Sequence, residues 1–141
     1  MFKTLLLAVD VNAPEGSARS AQAAIAMARA EAATLHLLNV VPDTGMAIVG
    51  ASMAADSMQN ALAAARAELE RWASTTIPAE VAHQIHVAEG TVYDQIIRTA
   101  NRLDIDAIVV GAHRPELKDY LIGPNAARVA RHATQSVFVI R

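Results

Sequence analysis

No cysteine occurs among the 141 residues, which excludes disulfides, thiolate metal sites and thiol nucleophiles and suits a reducing compartment. A basic excess is missing as well. Twelve Lys and Arg stand against fourteen Asp and Glu, a formal charge of -2. Nothing is left over to neutralise phosphates along a groove, so neither nucleic acid nor a membrane surface is an expected partner. Long apolar runs are absent, and no window approaches the ~20 residues of a spanning helix. The opening "MFKTLLLAVD" carries one lysine and five consecutive apolar residues before Asp10, too few for a signal peptide, so the cytoplasm is the expected compartment. No GxGxxG is present. "GMAIVGAS" (45–52) has the glycine spacing of a P-loop without its lysine.

What is present is apolar and ordered in type: 53% hydrophobic residues against 18% charged mark a globular chain of about one domain. Short dense apolar runs at 4–10, 34–41, 106–112 and 136–141 read as strands buried on both faces, and the alternating "VAHQIHV" (81–87) as a strand nearer an edge. Helical periods lie between them. Ala21, Ala24, Ile25, Ala28 and Ala32 share one face, as do Met58, Ala61, Leu62, Ala65, Leu69 and Trp72. Tyr93, Ile96, Ile97, Ala100 and Leu103 form a third stripe, with Thr91 and Asp94 spaced as a capping box. A last helix is expected from Pro124 to about Ala133, beginning with proline where a missing N–H costs least. The β-α alternation, with no interior linker, predicts one α/β domain on a parallel sheet. Residues 42–56, rich in small side chains, read as a long connection and a candidate lid.

In an open parallel sheet, ligands bind beyond the carboxyl ends of strands where strand order reverses. Asp10 closes the first run and Gly111 the fourth, so both are candidates for such a crevice. Asp10 could accept hydrogen bonds from ribose hydroxyls or could simply close the turn "DVNAPEG". In "GAHRPELKDYLIGPNA" (111–126), Arg114 offers a planar fork for phosphate and His113 a further hydrogen bond, unless the pair is solvated surface. Gly123-Pro124-Asn125 starts a helix whose free N–H groups attract anions, although Pro124 withholds one of them. His83 and His86, three apart on a strand, point to opposite faces and make a poor metal pair. His132 suits a helix C-terminus. No residue is an evident general base.

The ordering "LLLAVD", "HRP", "YLIGPNAARVARHA" and "VFVIR" resembles the universal stress protein family, and within it the F/G-type subgroup. The family pattern G-x2-G-x9-G followed by Ser or Thr stands here as Gly111, Arg114 in place of the middle glycine, eight intervening residues, Gly123 and Pro124. The resemblance covers nearly the whole chain. It implies a doubly wound five-stranded parallel sheet of order 3-2-1-4-5 over residues 1–141, with helices on both faces. It also implies dimerisation and binding of ATP or AMP, alone or with Mg. Carried over by position, Ala8, Val9, Asp10 and Val11 would line the first strand's end, with Asp10 on ribose. Val40 would meet adenine through its backbone. Gly111, His113, Arg114, Gly123, Pro124, Asn125 and Ala126 would surround ribose and phosphates.

The expected function is thus adenine-nucleotide-dependent regulation, with slow hydrolysis as the most catalysis expected. A second reading is a ligand-free dimeric scaffold that regulates a partner protein such as a transporter. A third is an adenylate-transferring enzyme of the wider fold group, for which the short loops leave little material. The apolar, β-branched "SVFVIR" at the end of the chain is expected at a sheet edge, with Val137 and Val139 or Phe138 and Ile140 at the seam of a homodimer.

Overall fold

In the computed structural model, which describes residues 1–43, 51–112 and 124–141, strands and helices alternate along the chain. They are β1 Thr4–Ala8, α1 Ala18–Glu31, β2 Thr34–Val41, α2 Ala51–Thr76, β3 His83–Glu89, α3 Val92–Arg102, β4 Ala107–Gly111, α4 Pro124–His132 and β5 Ser136–Ile140. A 3₁₀ turn, Pro14–Ser17, precedes α1. Every strand pairing is parallel and the order is β3-β2-β1-β4-β5, the doubly wound arrangement expected. No helix among the described residues is long and apolar enough to cross a membrane.

The dense apolar runs become the central strands because side chains on both faces are covered. Leu5, Leu7, Leu35, Leu37 and Val109 point to one side, where they pack on Ala21, Ala24 and Ala28 of α1 and on Leu69 and Ala73 of α2. Leu6, Leu38, Ile108 and Val110 point to the other, against Ile96 and Ala100 of α3 and Val129 of α4. Alanines on the buried face of α1 let that helix lie close to the sheet. At the amino ends of the strands, Asp106 ties β1 to β4: its Oδ2 accepts the N–H groups of Lys3 at 2.7 Å and Thr4 at 3.0 Å.

Several expected boundaries shift. β1 ends at Ala8, not Asp10, because the chain leaves the ladder after the Val9 N–H reaches Leu38 O at 2.9 Å. β3 begins at His83, two residues later than the alternation suggests. Val81 instead closes a turn on Pro78 O at 3.0 Å and is buried in the α1/α2-side core. α2 starts at Ala51, so residues 51–56 of the expected connection are helical, as their alanine content favours. The rest of that connection from 44 to 50 lies outside the described residues. Thr91 does occupy the N-cap of α3, but its side chain makes no capping bond, and Asp94 pairs with Arg98 at 2.7 Å. The capping box is replaced by an i,i+4 ion pair. α1 ends on Ala32 in the left-handed region, at φ 51°, a place more often filled by glycine.

Candidate functional site

Strand order reverses between β1 and β4, since the chain leaves β1 toward β2 on one side and later returns to β4 on the other. A cavity of about 410 Å³ opens there, at the carboxyl ends of β1, β2 and β4, within the size range of small-molecule sites. Its walls come from four directions: the end of β1, the 3₁₀ turn, the end of β2 with the start of α3, and the end of β4 facing the start of α4.

Of the residues singled out by sequence, Ala8, Val9, Asp10, Val40, Gly111, Pro124, Asn125 and Ala126 all line this one cavity. Val11 is not in the lining; its N–H donates to Asn39 Oδ1 at 3.2 Å. His113, Arg114 and Gly123 lie outside the described residues.

The loop after β1 is held by side chains that sequence reasoning missed. Asn39, only 5% exposed, accepts the Val11 N–H, and Ser17, 6% exposed, accepts the Asp10 N–H at 3.4 Å. Two consecutive backbone donors are thereby fixed by buried oxygens from β2 and from the 3₁₀ turn. Ser17 is steadied in turn, because the Ser20 hydroxyl donates to its carbonyl at 3.0 Å. The exposed Asp10 carboxylate accepts the Asn12 N–H at 3.0 Å through Oδ1, an Asx turn. Asp10 therefore closes the turn and lines the cavity at once; the two readings offered by its position are compatible. A polar Asn inside the apolar run "LLNVV" was the available signal for Asn39, since a buried amide demands a partner.

Gly111 has a packing reason beyond any ligand. A Cβ placed there would lie 3.3 Å from Gly16 O and 3.6 Å from Ser20 Oγ. The missing side chain lets the 3₁₀ turn and the start of α1 close over the end of β4. On the opposite wall, α4 presents its amino end at Pro124–Ala126, where the helix dipole is positive and N–H groups have no partner within the helix. Asp10 and Glu15 are the charged side chains of the described lining, and both are acidic.

The histidines take separate places. His83 Nδ1 lies 3.3 Å from Val81 O, whereas His86 contacts His36 on the neighbouring strand. His132 is in the last turn of α4, its ring 6.3 Å from that of Tyr93. No group of three metal-ligating side chains occurs among the described residues.

Comparison with known proteins agrees with this architecture along its whole length. Residues 1–141 match the model of the universal stress protein family. Universal stress protein G of Salmonella typhimurium is 31% identical, with all of both chains aligned. Among solved structures, universal stress protein UspA from Lactobacillus plantarum superposes with a TM-score of 0.69 at 25% identity, covering 99% of this chain and 98% of that one. The universal stress protein from Archaeoglobus fulgidus in complex with dAMP gives a TM-score of 0.60 at 19% identity over 99% and 98% of the two chains. With the fold, the strand order and the full-length match in agreement, the chain belongs to the universal stress protein family.

Proposed function

We propose that this chain binds an adenine nucleotide, ATP or AMP, in the cavity at the β1/β4 switch point and acts as a nucleotide-responsive stress-response regulator. The observation that carries the reading is the convergence, on one cavity, of a strand-end carboxylate, strand-end backbone and a helix amino end. The donor set suits such a ligand. Asp10 accepts from ribose hydroxyls, the backbone of Val40 at the end of β2 meets the base edge, and the free N–H groups that follow Pro124 at the start of α4 donate to phosphate oxygens. His113, Arg114 and Gly123 of the intervening segment would supply the remaining phosphate contacts. A family relative solved with dAMP supports the ligand class. Binding would act by changing which surfaces this domain offers to a partner.

A second reading, the ligand-free dimeric scaffold, is favoured by one feature. Among the described residues β5 pairs with β4 along one edge, and its Val137–Ile140 stretch is half-buried within one copy. A second chain against the outer edge would cover it.

Mass spectrometry of the purified, denatured protein separates the two readings by the presence or absence of co-purified adenine nucleotide. Calorimetry then tests the site. Arg114→Ala should weaken ATP roughly ten- to a hundredfold, the worth of a charge-assisted hydrogen bond, while sparing adenosine. Asp10→Ala should weaken both ligands. Pro124→Ser should tighten ATP by restoring an N–H and adding a hydroxyl. A wild type that binds neither ligand at millimolar concentration overturns the nucleotide reading in favour of the scaffold.

A further inference from the structure

A polar contact outside the cavity lining joins His36 on β2 to His86 on β3. Parallel pairing sets Leu38 opposite His86 and His36 opposite Gln84, so both imidazoles stand on the α3 side of the sheet, one step apart along it. His36 Nδ1 and His86 Nε2 are 2.9 Å apart. The ring centroids are 5.2 Å apart and the planes differ by 26°. That centroid separation is the nitrogen–nitrogen distance plus one ring radius on each side. The rings therefore meet head-on at their edges, as a straight N–H···N bond requires. Their lone-pair directions point at each other, not at a third point where a shared metal would sit.

Counting protons decides what such a pair can do. Two neutral rings share one proton along the contact, one ring donating and the other accepting. A first added proton can go to an outer nitrogen and leave the bridge intact. A second gives every ring nitrogen a proton, and two like-charged donors then face each other with no acceptor between them. The two rings titrate as a unit.

The surroundings resist that charge. His36 is only 7% exposed, and burial holds its pKa below the ordinary imidazole value. Burial does the same for His86, with the His36 ring, Arg102 of α3 and Arg66 of α2 adding to it in that order. On α3, Asp94 is bound to Arg98. On β3, His83 and Glu89 have the opposite strand parity and lie on the α2 side. Arg66 is itself paired with Glu70 on α2 at 3.8 Å, and the charges that bear on His86, those of His36, Arg102 and Arg66, are all cationic.

We propose that His36 and His86 form an acid-released clamp that fastens β3, and the helix following it, to β2. Among the described residues β3 is an edge strand paired with β2. It runs on through Gly90, whose N–H reaches Val41 O at 3.0 Å, into α3, whose Val92 and Ile96 line the cavity. Opening the clamp loosens that cavity wall, giving the cavity a response to pH from groups outside its lining. The clamp is closed above the imidazole range and opens as pH falls through the lowered range. A folded-state pKa below the unfolded one means that the unfolded chain binds the extra protons first.

Amide hydrogen exchange of the full chain without ligand, at about pH 7.5 and about pH 4, spans the lowered imidazole range, and the His86→Gln chain measured alongside accounts for carboxylates that titrate in the same window. After correction for intrinsic rates, protection of Ile85–Ala88 should fall about tenfold relative to Ile108–Val110, the worth of one lost buried hydrogen bond. His86→Gln retains an amide that can bond His36 but cannot take the second charge, so the β3-to-β4 ratio should stay constant. A ratio unchanged by pH in the wild type, or an equal fall in His86→Gln, overturns the clamp. Should the variant fail to fold, NMR titration of the wild-type imidazoles decides the same question. Coupled titration of both rings below the ordinary range is expected, and independent titration at ordinary values overturns the proposal.

Discussion

Asn39→Leu is the most informative single change, because it removes the hydrogen-bond acceptor while keeping the number and branching of the side-chain heavy atoms. Asn39 is 5% exposed and its Oδ1 takes the Val11 N–H at 3.2 Å. Leaving a buried donor without its partner costs ~1–3 kcal/mol, and Val11 is half-buried, so water can recover part of the loss. The expected destabilisation is ~1 kcal/mol, read as a lower urea midpoint with an unchanged m-value. Asn39→Asp keeps an acceptor oxygen at the same place and tests whether the acceptor is what matters. It should hold the loop better than Asn39→Leu, judged by exchange protection of the Val11 amide.

The same change separates positioning from contact. On the nucleotide reading, Asn39, itself part of the cavity lining, acts on ribose chiefly by holding the loop that presents Asp10. Asn39→Leu should then weaken AMP about fivefold to tenfold in the wild type, and much less when Asp10 is already alanine. A double-mutant cycle by calorimetry measures this coupling. Simple additivity of the two losses refutes the positioning argument. An unchanged urea midpoint refutes the hydrogen-bond argument independently of any ligand.

Other expectations test separate parts of the fold. Ala32→Gly should stabilise the chain by ~0.5–1 kcal/mol in thermal melts, because Ala32 closes α1 at φ 51°, where a Cβ is disfavoured. Gly111→Ala should cost ~1 kcal/mol in the same assay, because the new Cβ lies 3.3 Å from Gly16 O and the 3₁₀ turn must shift by a few tenths of an ångström to admit it. Asp106 has its carboxyl pKa held below the usual value by the N–H groups of Lys3 and then Thr4. Its contribution is therefore present above the unfolded carboxylate value and lost as pH falls through the folded one. Asp106→Asn should melt lower than wild type at neutral pH, with the gap closing in acid. Light scattering at micromolar concentration should give twice the 14.9 kDa chain mass if β5 seats a second copy, and a concentration-independent monomer mass overturns that expectation.

The central strands are legible in the sequence because burial on both faces leaves an unbroken apolar run, as in "TLLLA" and "AIVV". Their order is not legible from those runs; it comes with the family resemblance. The apolar pattern starts α2 too late because its first residues carry little contrast, although alanine propensity favours a helix there. It starts β3 two residues early because alternation continues through Val81, whose backbone belongs to a turn. Asp10 and Gly111 can be chosen as strand ends, whereas Asn39 and Ser17 act on backbone groups whose positions only the folded loop defines. The His36–His86 contact joins residues fifty positions apart, and the strand register brings them together.

The charge on the cavity wall divides the labour within the proposed site. Asp10 and Glu15 bring two carboxylates, while an α-helix amino end supplies only about half a positive charge. The described lining thus favours hydroxyl and amino groups more than a polyphosphate. The strand ends and the 3₁₀ turn would select the nucleoside, and attraction for phosphate would be left to cationic side chains of residues 113–123, which include His113, Arg114 and Lys118. Pro124 sharpens this dependence by withholding an N–H from α4, leaving the helix end a weaker anion site than one begun by serine or threonine. Selectivity among AMP, ADP and ATP would then rest on the segment between β4 and α4, while affinity for adenosine would rest on the frame set by Asn39, Ser17 and Gly111. Exchanging that segment for a relative's should change phosphate-dependent affinity and its salt dependence while leaving adenosine binding in place. A matching loss of adenosine would show that nucleoside and phosphate are not recognised by separate parts of the wall.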